Sequence, residues 1–282
     1  RPKVISPGSF PGIILVFIGN NPVRFTQHEN PSEILWAEVN VDVVIEATGR
    51  FKTKQKAEAH LGGSVKKVII SAPADDSVKT IVLGVNDDSF DKLEQVVSNA
   101  SCTTNCAAPM VKLIDEALGI ESAYVTTVHS FTTDQKLHDS PHDDLRRARA
   151  ATLSMVPTTT GAAKALSVVF PHLEGRLGGC GIRVPVPDGS LTDITFQVKK
   201  STSVEEVNAL FLEASKGKLK GILGFTDEPL VSVDILGCEN SCLFDSQLTS
   251  VLGKMVKIVG WYDNEMGYSN RLADLILHIT QE

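Results

Sequence analysis

The sequence has no apolar run longer than Ile13 to Ile18, far short of the roughly 20 residues that a membrane-crossing helix needs. It has no basic excess either: 27 lysines and arginines stand against 34 aspartates and glutamates, a formal net charge of −7. That balance offers no electrostatic footprint for nucleic acid or an anionic membrane surface. Cysteine is sparse, five in 282 residues, and an odd number argues against a secreted disulfide framework and for a reducing compartment. Cys102/Cys106 and Cys238/Cys242 are pairs at four-residue spacing, but zinc sites use more compact pairs, usually with histidines beside them, so no metal is expected. Low-complexity stretches, internal repeats and a cleaved-signal pattern are also missing. The expectation is a cytoplasmic globular enzyme with neither nucleic-acid nor membrane partners.

The apolar content, 42% of the chain, is ample for two ordinary domains, since single cores rarely grow past roughly 250 to 300 residues. Val39 to Gly49, VNVDVVIEATG, is β-branched, nearly uncharged and closed by glycine, which predicts a parallel strand buried on both faces. TKQKAEAHLGG predicts a short amphipathic helix ended by Gly62 and Gly63, and KKVIISAP a second buried strand, together a right-handed βαβ unit. TIVLGVN and QVVSNA repeat the strand signal before SCTTNCAAPMVKLIDEALG turns into a helix ending at Gly119. In SLTDITFQVKK, Ile194, Phe196 and Val198 alternate onto one face, as in an antiparallel sheet covered on one side. Ser203 and Glu206 have capping-box spacing. NRLADLILHIT carries Leu272, Leu275, Ile276 and Ile279 at helical spacing, a stripe that must be buried, predicted here against the first domain. The first 35 residues read as hairpin strands and turns. The fold class is therefore α/β then α+β: residues 1–101 a parallel-sheet domain, 102–265 a mostly antiparallel sheet with helices on one face, and 266–282 a returning helix.

Ser98 to Pro109, SNASCTTNCAAP, places a cysteine where a strand gives way to a helix. A helix start carries unpaired N–H groups and about half a positive charge, which lower a thiol's pKa and can hold an oxyanion or phosphate. Cys102 is thereby placed to be a thiolate, against the plainer role of a small buried hydrophobe. Ser101, Thr103 and Thr104 add hydroxyls that suit either an anion cradle or ordinary caps. Cys106, one turn on, reads as structural. His129 closes the strand AYVTTVH, and an imidazole near its usual pKa of about 6.5 can take a thiol proton and return it, although a lone histidine is more often structural. Thr48 and Gly49, and likewise Ser71, end strands at the sheet edge where dinucleotides sit in open α/β folds. Taken alone, Thr158 to Gly161 reads as a capped helix start and Arg183 as a strand-end charge. Arg146, Arg147 and Arg149 read equally well as a solvated face balanced by Asp143 and Asp144.

SNASCTTNCAAP resembles the active-site signature of the glyceraldehyde-3-phosphate dehydrogenase family. The likeness continues in order through TTVHSFTTDQ, DLRRARAA, TTTGAAKA, RVPVP, KGILGFT and WYDNEMGYSNR, so it spans the chain from about Val39 to the last helix. It implies an incomplete Rossmann-type NAD-binding domain, a catalytic domain, and a glycolytic oxidoreductase making 1,3-bisphosphoglycerate from glyceraldehyde 3-phosphate, NAD and inorganic phosphate. Cys102 would form the hemithioacetal and thioacyl intermediates, with His129 as its base. By the same resemblance Arg183 and Thr132 hold the substrate phosphate, and Ser101, Thr103, Thr160 and Gly161 surround the attacking phosphate. Asn264 would hold the nicotinamide carboxamide and Tyr268 would pack near the ring, with Thr48, Gly49 and Ser71 also on the cofactor side. The arginine cluster would reach a neighbouring subunit's cofactor site, which implies a homotetramer.

The chain also departs from the family pattern. A complete member opens with a strand, a GxGxxG turn and an acidic residue about 20 positions on; the turn is missing, and Arg1 matches a point about 50 residues into the first domain. A chain lacking the N-terminal part of its NAD-binding domain is the expectation. Ser140 stands where NAD-preferring members have leucine, followed by the usual Pro141, so NAD is favoured and NADP left open. Gly260 replaces an expected serine, and Glu29 an arginine that some members carry. The alternatives are an erythrose-4-phosphate dehydrogenase using water as acyl acceptor, or a truncated non-catalytic subunit or pseudoenzyme. TTTGAAKA and SFTTDQ oppose the first, and the intact Cys102, His129 and Arg183 oppose the second.

Overall fold

The computed structural model describes residues 3–5 and 14–281. Three antiparallel strands come first, β1 (Lys3–Ile5), β2 (Ile14–Ile18) and β3 (Asn21–Phe25). Gly19, at φ 61°, opens the two-residue hairpin turn between β2 and β3, where a left-handed first residue matches strand twist.

A four-stranded parallel sheet follows: β4 (Val43–Glu46), β5 (Lys67–Ile70), β6 (Lys79–Thr80) and β7 (Val96–Ser98), in spatial order β4-β5-β7-β6. Helix α1 (Lys54–Ala57) is capped by the Thr53 side chain and runs on as a 3-10 turn to His60. Two expectations are corrected. Among the described residues β4 is an edge strand, and Ile45 is 40% exposed rather than buried on both faces. TIVLGVN is strand only at its first residue, because the Asn86 amide accepts from the Val82 N–H and donates to the Thr80 carbonyl, folding the rest into a turn.

β7 leads into α2 (Cys102–Leu118). The second sheet contains β8 (Ile120–Ser130), β9 (Val156–Thr158), β10 (Leu177–Val184), β11 (Ser190–Val198), β12 (Leu223–Thr226), β13 (Cys242–Asp245), β14 (Ser250–Leu252) and β15 (Met255–Tyr262). Its order is β12-β13-β15-β11-β8-β10-β9, with β14 paired to β15. Antiparallel pairing predominates, but β8 with β10 and β12 with β13 are parallel. Helices α3 (Ala162–Val169), α4 (Val204–Lys216) and α5 (Met266–Thr280) complete the described chain.

The core is where α2 lies on this sheet. Cys106, Met110, Val111 and Ile114 share one cluster with Ile194, Phe196 and Ile258, all wholly buried. Each large side chain so buried contributes roughly 1.5 to 3 kcal/mol. Ser203 and Glu206 make the reciprocal capping box at the start of α4. On α5, Leu275 and Ile279 pack with Ile69, Ile81 and Val97 of the parallel sheet region.

Candidate active site

The site begins with strand register. β8 and β10 are parallel, with His129 opposite Arg183, so the ends of two neighbouring strands bring an imidazole beside a guanidinium. Helix α2 starts above them. Ser101 is its N-cap, the hydroxyl accepting the Thr104 N–H at 3.1 Å. Ala100, just before it, is wholly buried at φ 55°, a left-handed conformation that costs a non-glycine residue about 1 to 2 kcal/mol. Beyond this turn the Cys102 Sγ lies 3.4 Å from His129 Nε2.

The other side of the imidazole is crowded. His129 Nδ1 is 2.8 Å from the Ser130 carbonyl oxygen, while Arg183 Nη1 is 2.6 Å from that same Nδ1 and 2.9 Å from the same carbonyl. Tyr262 meets the imidazole edge-on, ring centroids 5.8 Å apart. Its hydroxyl bonds both Thr103 Oγ1 at 2.9 Å and Thr127 Oγ1 at 2.8 Å, tying the cysteine's helix to the histidine's strand. Tyr262 is absent from the sequence-based site. The inward alternation Val256, Ile258, Gly260, Tyr262 along β15 is the signal that places it here.

Burial pushes the Cys102 thiol up, opposed by the Thr103 N–H and the Arg183 charge. Burial thus works against the thiolate that the helix start favours. His129 is pushed down to about 4, first by burial and then by Arg183, against the favourable Ser130 carbonyl.

Around the pair, the Thr132 backbone N–H and hydroxyl both donate to Gln135 Oε1. Thr160 Oγ1 accepts the Ala162 N–H at the start of α3, and Gly161 beside it opens onto free space. Ser101 spends its hydroxyl on the cap. The Thr103 hydroxyl bonds Tyr262, and both its N–H and its side chain act on the Cys102 sulfur. The arginine cluster also divides. Arg149 bonds Asp139 at the surface, but Arg147 turns inward, Nη1 2.6 Å from Asp134 Oδ2 and Nη2 2.6 Å from Thr158 Oγ1. Arg147 and Asp134 are both electrostatic neighbours of Arg183; the sequence reading placed Arg147 only in the cluster facing a neighbouring subunit and did not single out Asp134.

On the cofactor side, Thr48 and Ser71 follow the carboxyl ends of the adjacent strands β4 and β5. Gly49, at φ 72°, leaves the space above it open. Beneath this loop the buried Glu46 takes the Thr48 N–H at 2.8 Å and the Thr48 hydroxyl on one oxygen, and holds His60 Nε2 at 2.9 Å on the other. Asn264 Oδ1 accepts from the Ser130 and Ser190 hydroxyls at 2.9 and 2.8 Å. Its Nδ2 has no partner among the described residues, which suits a carboxamide oxygen. The Tyr268 hydroxyl donates to the Ala100 carbonyl at 3.2 Å, setting an aromatic ring close to the cysteine turn. These groups fit the nicotinamide end of NAD. No set of three His, Cys, Asp or Glu side chains among the described residues is arranged to hold a metal.

A parallel sheet joined to a second sheet that carries the cysteine and histidine fits the class of NAD-dependent oxidoreductases. Residues 101–264 match the model for the C-terminal domain of glyceraldehyde 3-phosphate dehydrogenase. Glyceraldehyde-3-phosphate dehydrogenase 2 of Streptomyces avermitilis is 52% identical over 266 residues, 94% of this chain and 79% of the relative. The glyceraldehyde-3-phosphate dehydrogenase of Mycobacterium avium is 54% identical over 248 residues, 88% and 73%. That of Mycolicibacterium smegmatis is 51% identical over 269 residues, 95% and 79%. The chain belongs to the glyceraldehyde-3-phosphate dehydrogenase family. None of these relatives favours the erythrose-4-phosphate or pseudoenzyme alternatives.

Proposed function

We propose that this protein oxidises glyceraldehyde 3-phosphate, with NAD and inorganic phosphate, to 1,3-bisphosphoglycerate in glycolysis, using Cys102 as nucleophile and His129 as base. The observation that carries this reading is the 3.4 Å approach of Cys102 Sγ to His129 Nε2 at the start of α2. His129 takes the thiol proton as the sulfur bonds to the aldehyde carbon, and the α2 N–H groups face the oxygen of the resulting hemithioacetal. His129 returns that proton to the adduct's oxygen and accepts it again as the hydroxyl becomes the thioester carbonyl. When bound, NAD supplies the two-electron acceptor for the oxidation, with Asn264 and Tyr268 orienting its nicotinamide and Thr48, Gly49 and Ser71 lining its path. Inorganic phosphate, held by Ser101, Thr103, Thr160 and Gly161, attacks the thioester, and the C–S bond breaks to release the Cys102 thiolate, which takes back its proton from His129. Arg183 and Thr132, supported by Arg147, hold the substrate phosphate.

The expected division is a cofactor domain over 1–101, a catalytic domain over 102–265 and a returning helix over 266–282. The exposed Leu137, Leu145, Leu153 and Met155 support a homotetramer in which this segment meets a neighbouring copy. A cytoplasmic enzyme fits the five free cysteines and the reducing compartment they imply. The test is NADH formation from glyceraldehyde 3-phosphate with and without inorganic phosphate. Turnover should require phosphate and vanish in Cys102→Ser; normal turnover in that variant would remove Cys102 from its assigned role.

A further inference from the structure

Asn99 follows β7 directly and is wholly buried. Its backbone is fully engaged: the N–H donates to the Ile70 carbonyl at 3.1 Å, and the carbonyl accepts from the Asn105 amide at 2.8 Å. Its side chain is not, since neither Oδ1 nor Nδ2 has a hydrogen-bond partner among the described residues. A buried amide whose desolvation is offset by no bond destabilises the fold, so its presence points to a role other than stability. Its surroundings indicate that role. β5 and β7 are parallel neighbours, with Ile70 opposite Ser98, so Ser71 and Asn99 stand side by side past the carboxyl ends of the two strands, where open α/β sheets hold their cofactor. The Tyr268 hydroxyl meets them there from the start of α5. Burial pushes this hydroxyl up, and Ser71 and Asn99 both approach it and oppose the shift. The hydroxyl donates in turn to the Ala100 carbonyl at 3.2 Å. Ala100, at φ 55°, lies between Asn99 and the Ser101 cap, so a shift of its carbonyl turns the peptide that leads into Cys102.

We propose that Asn99 is a positioning residue for hydride transfer: its amide steadies the Tyr268 hydroxyl and, through the Ala100 carbonyl, fixes the distance between the ring that faces the nicotinamide and the turn that carries Cys102. The inference rests on the reading of Cys102 as nucleophile and Tyr268 as the nicotinamide's neighbour. In that step the hydride leaves the hemithioacetal carbon with its electron pair for the nicotinamide, the adduct is oxidised to the thioester, and its hydroxyl proton passes to His129. Asn99 takes part in none of these bonds. The two carbons between which the hydride moves lie on opposite sides of the joint that Asn99, Tyr268 and Ala100 form, so a small displacement there costs rate rather than affinity.

Asn99→Ala removes both polar ends of the side chain without adding volume. A residue kept for stability would lose melting temperature on this change; Asn99 has no side-chain bond to lose, so the variant should melt within about 2 °C of its parent. The first turnover, followed as NADH formation after rapid mixing with glyceraldehyde 3-phosphate and NAD in the absence of phosphate, should instead slow about tenfold, the rate equivalent of one lost positioning bond. Calorimetry should give an NAD dissociation constant within about twofold of the parent's. Deuterium on the aldehyde carbon should slow the variant's first turnover further, which identifies hydride transfer as the step affected. Tyr268→Phe removes the same hydroxyl from the other side and should slow the first turnover by a similar factor, with Asn99→Ala adding little in that background. It also tests the inference if Asn99→Ala does not fold. An unchanged first-turnover rate in either variant, no isotope effect in Asn99→Ala, an equal loss with and without the Tyr268 hydroxyl, or a melting temperature lower by more than about 5 °C overturns the proposal. A parent protein that forms no NADH overturns the reading of the site as well, and so distinguishes the two failures.

Discussion

Gly260→Ser restores the residue that the family pattern favours and should nonetheless destabilise this protein. A Cβ at this position would lie 2.5 Å from the Cys242 sulfur and 3.0 Å from the Met110 sulfur, both side chains being wholly buried. Met110 can rotate aside, but Cys242 has a single χ angle and sits on the neighbouring strand β13, where Phe244 pairs with Gly260. Overpacking of this kind costs about 1 to 3 kcal/mol, and a buried hydroxyl without a partner adds about 1. A total of about 3 kcal/mol corresponds to a melting temperature lower by roughly 6 to 12 °C in a chain of this size. The cysteine sulfur thus occupies the space that a serine side chain would fill. In a Cys242→Ala background that space is vacant, and Gly260→Ser should there cost only the about 1 kcal/mol of its hydroxyl, a coupling of about 2 kcal/mol. The assay is thermal and urea unfolding of the four proteins in the cycle. Gly260→Ser melting within about 2 °C of its parent, or losing equal stability in both backgrounds, would refute the argument.

Tyr262→Phe keeps the ring edge on His129 but removes the hydroxyl shared by Thr103 and Thr127. Losing these two bonds, with about 1.4 kcal/mol of it in positioning, should lower kcat about tenfold with KM little changed, and steady-state kinetics showing the reverse split would place Tyr262 in binding instead. His129 has a folded pKa of about 4 against 6.5 when unfolded, so between these values the unfolded chain binds more protons. Its contribution is present in full above pH 6.5 and is lost as pH falls toward 4, up to about 3 kcal/mol. Urea unfolding across that window should show a shallower pH slope in His129→Asn, and identical slopes would contradict the assignment. Glu46→Ala strands the buried His60 and the Thr48 N–H, which should cost about 3 kcal/mol or more. Hydrogen exchange should quicken most in residues 47–50, and an unchanged rate there would show that Glu46 does not hold the cofactor loop.

The parts of the site legible in the sequence are those made by neighbours in the chain. A strand ending in SNAS must turn sharply, and serine before a run of helix formers must cap, so Cys102 falls at a helix start whatever the rest of the molecule does. The capping box at Ser203 and Glu206, and the stripe on α5 that meets the parallel sheet, follow from the same local periodicities. The strand misread past Thr80 has its cause six residues on, in an asparagine side chain that closes a turn. What was hidden depends on partners far apart in sequence: Tyr262 against Thr103, Arg183 against His129, Cys242 against Gly260. Charge state was hidden for the same reason. A helix end lowers a thiol's pKa by an amount that motif reading can anticipate, but the opposing desolvation is set by how completely α2, β8, β10 and β15 close over the sulfur. Here burial raises the Cys102 thiol and drives His129 down. Arg183 acts on both, lowering the Cys102 thiol and disfavouring the His129 imidazolium, and a motif that lists cysteine, histidine and arginine as separate roles cannot express how the charge state of the first two depends on the third.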